Sequence, residues 1–197
     1  MNTRTVAVRQ LLERAAARVI GADWAVTGGN RLRAILDGET EAIILPLAAG
    51  HTVYSVSVNV GPRFPKVERI VAKASRAAGQ PETSIRTAAV FPTVFERLSN
   101  IASVPDHMPL SEMEQIIEAL CSHAVPFICK LRTVGAAADY ALANPVPYGH
   151  HVVRIPVLLA MADQRREAWE YLDRQASTES PYFEFLTRYR DALTSLL

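Results

Sequence analysis

The sequence predicts an α+β protein in which an antiparallel sheet of four to five strands, in the N-terminal half, packs with a C-terminal layer of helices. Three observations lead to this prediction. Residues 52–60 alternate apolar and polar side chains, turn signals separate them from apolar runs before them, and the residues after 110 repeat apolar positions at helical spacing. Because strand side chains point alternately to opposite faces, the alternation is typical of a strand with one buried and one wet face.

The composition is that of an ordinary globular protein, with 197 residues, 49% hydrophobic and 21% charged, and a net charge of +1. We expect residues 1–104, a helix plus the sheet, and residues 105–197, the helical layer, to form one compact domain. So small a net charge creates no global field that attracts nucleic acid or an anionic membrane. Two cysteines are too few for a disulfide framework, and neither a signal segment nor a membrane span is evident, so we expect a cytoplasmic protein.

The N-terminal half opens on a predicted helix over 4–20, in which apolar residues recur on one face. Residues 24–36 predict one strand or a strand pair, and Asp37-Gly38 is a hairpin turn signal before the apolar run 42–47. With 52–60, these runs predict an antiparallel meander. Residues 63–78 then predict a basic helix, and residues 85–95 predict a further strand.

The C-terminal half is predicted to be helical throughout. Ser111 and Glu114 have the spacing of a capping box, so a helix should begin there, with a kink at Pro126. Further helices are predicted over 134–143, over 153–161, from Asp163 to about Gln175, and from Ser180 onward.

A search for catalytic and metal-binding patterns finds none that is specific. Gly28-Gly29 lacks the other residues of a nucleotide-binding loop. Cys121 and His123 diverge by about 200° around a helix, so they do not form a metal pair. Cys121 also lies on the predicted apolar stripe, where burial disfavours the reactive thiolate. The sequence therefore favours a protein that is not an enzyme, and it predicts no catalytic residue, metal or cofactor.

Three sets of residues are candidates for binding. A basic set lies in the predicted helix over 63–78, and all of its members except Arg63 sit near one face, which could meet phosphates or an acidic partner, although interleaved aromatic residues are absent. A second set lies on the polar face of the predicted strand, and a third lies within and directly after the break at 145–149. The three sets are Arg63, Lys66, Arg69, Lys73 and Arg76; Ser55, Ser57 and Asn59; and Tyr148, His150 and His151. For each set, a plain solvated surface is the alternative.

The order of these features resembles one family. The features are Val58 to Gly61 at the end of an extended segment, Ile85-Arg86 in a later strand, Pro126-Phe127 near a helix end, and a closing helical pair over 159–168. The sequence resembles the bacterial domain-of-unknown-function 4304 family across most of its length. That resemblance implies no established activity and no catalytic residues, and it implies a small cytosolic protein of the kind found near toxin–immunity loci.

The sequence as a whole favours a cytoplasmic, non-enzymatic protein–protein interaction module, of which an immunity-type toxin binder is one form. One alternative is a hydrolase or transferase whose site is built from distant residues, with Asp163 joining the third set. Another is a weak nucleic-acid binder acting through residues 63–76. The expected partner is another protein; neither nucleic acid nor a membrane is expected as the main partner, and a small-molecule ligand is left open.

Overall fold

The structure is a computed structural model that describes residues 25–27, 31–37, 40–49, 53–88, 92–94, 96–98, 104–105, 109–144, 149–176 and 182–197. The chain divides into two compact units. Residues 1–63 and 95–130 form one, which we call the sheet unit, and residues 64–94 and 131–197 form the other, which we call the helical unit. The predicted helix over 4–20 lies outside the described residues.

The described elements are strands followed by helices, with one return to strand. The strands are β1 (Ala25–Thr27), β2 (Arg31–Asp37), β3 (Thr40–Ala49), β4 (Val53–Arg63), β5 (Glu96–Leu98) and β6 (Val104–Pro105). The helices are α1 (Pro65–Ala77), α2 (Glu82–Ala88), α3 (Leu110–Lys130), α4 (Val134–Ala143), α5 (Gly149–Met161), α6 (Arg165–Gln175) and α7 (Phe183–Thr194).

The sheet unit is built around the hairpin of β3 and β4, which pairs continuously from Glu41↔Arg63 to Ala49↔Ser55. The strand order is β1-β2-β3-β4-β5, β6 also pairs with β4, and every pairing is antiparallel. Helix α3 packs against β3 and β4. The predicted meander over 24–60 is therefore present as β1 to β4.

The register of β4 decides which residues share a face. Val60 pairs with Ile44, whereas Asn59 pairs with Leu45 on one side and Arg97 on the other. Opposite residues of an antiparallel pair lie on the same face, so Asn59 shares its face with a leucine and an arginine. Asn59 is fully buried. At this position the face that the alternation predicted to be wet is covered.

The helical unit is organised around α5, which contacts α1, α4 and α6. All residues of α5 from 153 to 160 are buried, which is typical of a helix surrounded by protein. Helix α1 has the opposite character, since Val67, Val71 and Ala74 form one buried stripe on an otherwise polar helix. Helix α1 packs against α5 and α7.

The predicted fold class, a sheet of four to five strands packed with C-terminal helices, is wrong. The described residues are mostly helical, with seven helices among them. Strands β1, β5 and β6 contribute only three, three and two residues, so the extensive part of the sheet is the β3–β4 pair, and the predicted four-to-five-strand sheet roofed by C-terminal helices is not the fold. The two units also contain other helices than the prediction assigned to each half of the chain: α1 and α2 belong to the helical unit, and α3 belongs to the sheet unit. The structure thus divides the chain elsewhere than between 104 and 105.

The predicted strand over 85–95 is wrong as well, because residues 82–88 form α2. The amides of Ser84 and Ile85 donate to the Pro81 carbonyl and so start a helical turn. The β-branched Ile85 suggested a strand, but β propensity depends on neighbouring strands, and Ile85 is buried in the helical unit instead. The helices predicted over 63–78 and 134–143 are confirmed as α1 and α4. Among the described helices, none is both long and apolar enough to cross a bilayer.

Candidate functional site

A buried ion pair lies at the centre of the helical unit. Nη2 of Arg154, on α5, is 2.9 Å from Oε2 of Glu68, on α1, and the two side chains are 1% and 8% exposed. A buried charge is costly unless it is paired and hydrogen-bonded. The second guanidinium nitrogen, Nη1, accordingly donates to the Pro92 carbonyl at 3.1 Å.

The other carboxylate oxygen of Glu68 is bound by Thr93. Its hydroxyl donates to Oε1 of Glu68 at 2.7 Å and accepts a hydrogen bond from the Phe64 amide at 3.0 Å. Thr93 is fully buried. The short segment 92–94 is thus held to both α1 and α5 by polar contacts, and the buried charges are surrounded by partners.

Tyr189 fastens α7 to the same centre. Its hydroxyl donates to the Val153 carbonyl at 2.7 Å, next to Arg154 in the chain, and the residue is fully buried. Burial raises the pKa of the Tyr189 hydroxyl far above its ordinary value; the negative charge of Glu68 raises it further, and Arg154 opposes the shift. Tyr189 therefore acts as a neutral hydrogen-bond donor.

A cavity of about 450 Å³ lies beside the ion pair, within the helical unit. Its walls come from α1, α2, α5 and α7 and from the residues that join α1 to α2. The lining is mostly apolar and includes a few polar groups. The lining residues are Glu68, Val71, Ala72, Ser75, Ala78, Gly79, Gln80, Pro81, Ser84, Ile85, Val152, Val153, Arg154, Tyr182, Phe185, Leu186 and Arg188.

The interior and the mouth of the cavity differ in chemistry. The buried lining residues include Val71, Ile85 and Leu186 beside the ion pair, whereas Tyr182 and Arg188 are exposed and so lie at the mouth. Tyr182 is 62% exposed. An apolar interior with a few placed polar groups is the usual composition of a small-molecule site.

Neither cysteine nor histidine is among the described residues that line the cavity. Among the residues that the structure describes, no group of three or more His, Cys, Asp and Glu side chains is placed to hold a metal ion. What the arrangement offers is an apolar volume, two serine hydroxyls at Ser75 and Ser84, and the charges of the ion pair and of Arg188.

The basic residues predicted as a set are divided by the structure. Lys66, Arg69, Lys73 and Arg76 are exposed along α1, as the helical spacing predicts. Arg76 binds Glu82 through Nε at 2.7 Å, and this hydrogen bond lowers the pKa of the Glu82 carboxyl. Arg63 instead ends β4 in the sheet unit.

In the sheet unit, Arg63 takes part in a charged cluster around Glu41. Nη1 of Arg63 is 2.8 Å from Oε2 of Glu41, and Arg33 binds the other carboxylate oxygen. The Glu41 side chain is only 7% exposed. The strand register explains the first pair, because Glu41 and Arg63 are directly opposite each other.

The remaining predicted site residues do not converge in the part of the structure that is described. Tyr148 lies outside it. His150 and His151 lie in the first turn of α5, and Asp163 follows the end of that helix. Thirteen residues at the rise of an α-helix separate His150 from Asp163 by roughly 20 Å. Ser55 and Ser57 lie in β4, with Asn59 as their buried neighbour.

Sequence reasoning missed Glu68, Thr93, Arg154 and Tyr189. One signal was available: Arg154 is the only charged residue in the apolar stretch from Val152 to Met161. A charge in a helix that is otherwise apolar predicts burial, and a buried charge predicts a partner of opposite sign. The identity of that partner was not available, because Glu68 is 86 positions away.

No family model, curated protein or solved structure matches this chain, so its resemblance to the domain-of-unknown-function 4304 family stays a prediction.

Proposed function

We propose that this protein is a non-enzymatic ligand-binding protein whose helical unit binds a small, mostly apolar molecule in the cavity beside the Glu68–Arg154 pair. The observation that carries the proposal is the cavity itself. Its volume, about 450 Å³, falls in the range of roughly 300–1,000 Å³ that is usual for ligand sites.

Specific contacts fix the positions of the helices that form the walls of this cavity. The ion pair joins α1 to α5, and the hydrogen bond of Tyr189 joins α7 to α5. Both contacts are buried, so water does not compete with them. A site that exists before its ligand arrives avoids the ordering cost that weakens binding to flexible surfaces.

The lining also indicates what stabilises the bound molecule. Val71, Ile85 and Leu186 contribute apolar surface, and transfer of each ligand methylene from water to such surface contributes about 0.8 kcal/mol. The hydroxyls of Ser75 and Ser84 add hydrogen-bonding positions that would orient a ligand. Affinity would therefore come from apolar area and selectivity from the few polar groups.

The alternatives predicted from the sequence have less support. A hydrolase or transferase site needs His150 and Asp163 together, and α5 separates them. A phosphate-binding face loses two of its five cations, since Arg63 pairs with Glu41 and Arg76 with Glu82. The cytoplasmic location, the protein partner and the immunity-type role stay proposals from the sequence, and they are compatible with a ligand-binding unit.

Filling the cavity tests the proposal. In the full-length protein, the neutral fluorescent probe phenylnaphthylamine should bind saturably, and Ala72→Phe, which places a ring into the cavity wall, should abolish binding. Ala77→Phe is the matched control, because Ala77 is exposed on the same helix and outside the lining.

A second filling variant, Ser84→Phe on α2, guards against a folding defect in the first. Circular dichroism should show native helix content for all three variants. The proposal fails if the probe does not saturate with the unaltered protein, or if folded Ala72→Phe and Ser84→Phe bind it as well as the control does.

A further inference from the structure

We infer that the ligand is an amphiphilic carboxylate, whose apolar chain occupies the cavity and whose carboxylate pairs with Arg188 at the mouth. The inference rests on the proposed function and adds the chemical class of the ligand. It is carried by the distribution of charge along the cavity lining.

Among the described lining residues, three carry full charges: Glu68, Arg154 and Arg188. The first two neutralise each other at 2.9 Å, and that pair is also hydrogen-bonded to Thr93 and to the Pro92 carbonyl. The pair is therefore occupied with the protein itself. From the residues that the structure describes, the net charge that the lining offers to a ligand is the single positive charge of Arg188.

Arg188 is exposed on α7, among lining residues that include Tyr182 and Phe185. Within the described part of the chain, no carboxylate lies within 4.0 Å of its guanidinium, although Glu184 lies one helical turn earlier. A guanidinium presents a planar pair of N–H donors that matches the two oxygens of a carboxylate. Arg188 is thus suited to an anionic group arriving from outside.

The apolar interior sets the orientation of such a ligand. A charged head group next to Val71, Ile85 and Leu186 would lose its hydration without gaining a partner, which is costly. An alkyl or aryl chain gains from the same surroundings. The chain therefore goes inward and the carboxylate stays at the mouth, where water and Arg188 both reach it.

The test compares three probes that share one chain and differ in head group: decanoate, decanol and decylammonium. Each displaces phenylnaphthylamine from the full-length protein at pH 7 and low salt. Decanoate should bind about fivefold more tightly than decanol, the factor expected for one partly exposed ion pair, and decylammonium more weakly than decanol. Added salt should reduce the difference, because it screens an exposed pair.

The variant Arg188→Gln should remove the preference for decanoate over decanol, whereas Arg188→Lys should keep part of that preference. Arg174→Gln is the matched control, since Arg174 is exposed on α6 and outside the lining. Circular dichroism establishes that each variant is folded.

The outcomes separate this inference from the proposed function. Decanol binding that matches decanoate binding, or a preference for decanoate that survives Arg188→Gln, overturns the carboxylate assignment and leaves the ligand site standing. If neither phenylnaphthylamine nor any of the three probes binds, the proposed function fails and the inference fails with it.

Discussion

Glu68 and Arg154 show what one buried charge requires from the residues around it. The groups in contact at this pair come from three parts of the helical unit: α1, α5 and the segment 92–94. Because the charges are out of water, these contacts are not interchangeable with solvent. At this scale the pair determines which helices must come together.

Replacing Glu68 by Gln tests the pair. The change leaves the Arg154 guanidinium buried without its counter-charge, so we expect the free energy of unfolding to fall by about 3–5 kcal/mol. Urea denaturation measures it. Glu170→Gln is the control, because it removes an exposed ion pair with Arg166 at 2.8 Å and should change stability very little. Equal losses in both variants would contradict this account.

Tyr189 makes the stability of the folded protein depend on pH. Its ordinary pKa is 10.0, and burial raises the pKa in the folded state. Above pH 10 the unfolded chain therefore binds fewer protons than the folded one, so this contribution to stability is complete below pH 10 and declines by about 1.4 kcal/mol per pH unit above it.

In Tyr189→Phe the alkaline slope should be smaller, because the titrating hydroxyl is gone. Stability at neutral pH should also fall by about 1–2 kcal/mol, since the Val153 carbonyl loses its donor. Urea denaturation at a series of pH values between 7 and 11 measures both effects. An unchanged slope in the variant would show that Tyr189 ionises normally in the folded protein.

At the scale of the element, helix starts are set by local chemistry. Thr133 precedes α4 with extended backbone angles, and its hydroxyl accepts a hydrogen bond from the Ala136 amide at 3.2 Å. A side-chain oxygen in this position satisfies an amide that the helix itself leaves without a partner. This signal is readable in the sequence, and α4 was predicted with its correct bounds.

Thr133→Ala should reduce the free energy of unfolding by about 1 kcal/mol, because the Ala136 amide loses its acceptor. Thr133→Ser keeps the hydroxyl and should be close to the unaltered protein. Thermal or urea denaturation distinguishes the two variants. A loss of the same size in Thr133→Ser would assign the effect to the methyl group of threonine and not to the cap.

The element that was mispredicted, residues 82–88, shows the limit of local signals. A strand has no hydrogen bonds within itself, so its existence depends on a neighbouring strand that a short pattern does not reveal. The apolar residues around Ile85 were compatible with either structure. Contacts with α1 and the turn started at Pro81 decided for a helix.

At the scale of the molecule, the chain contributes two segments to each compact unit. The segments 64–94 and 131–197 form one core although the 36 residues between them belong to the sheet unit. Local opening of a protein follows its packed units more than its chain order. Perturbation of one core should therefore be felt mainly within that unit.

Leu158→Ala tests this organisation, because Leu158 is fully buried in α5. The cavity should destabilise the helical unit by about 2–5 kcal/mol and speed amide hydrogen exchange in both of its segments, 64–94 and 131–197. Exchange in the β3–β4 pairing should change less.

The crossed control is Ile128→Ala, which perturbs the buried face of α3 in the sheet unit. It should speed exchange in β3 and β4 and affect α5 less. Hydrogen exchange followed by mass spectrometry measures both patterns. Identical patterns from the two variants would mean that the units open together.

Local patterning in the chain was sufficient for the described helices other than α2 and for the β1 to β4 meander, because apolar spacing, caps and turn residues act over a few positions. It was not sufficient for the site. Glu68 and Thr93 are 25 positions apart, and Glu68 and Arg154 are 86 apart. Only packing of α1, α5 and the segment 92–94 against one another brings their charges into contact.

The difference between what local patterns predict and what they do not predict has a simple physical reason. Hydrogen bonds within a helix and a tight turn are made by residues near one another in the chain, so their signals are written locally. A cavity and a buried ion pair exist only between elements, and burial is a property of the assembled core. The amino-acid pattern therefore determined most elements of this protein, and tertiary packing decided which of them share a core and where a ligand can enter.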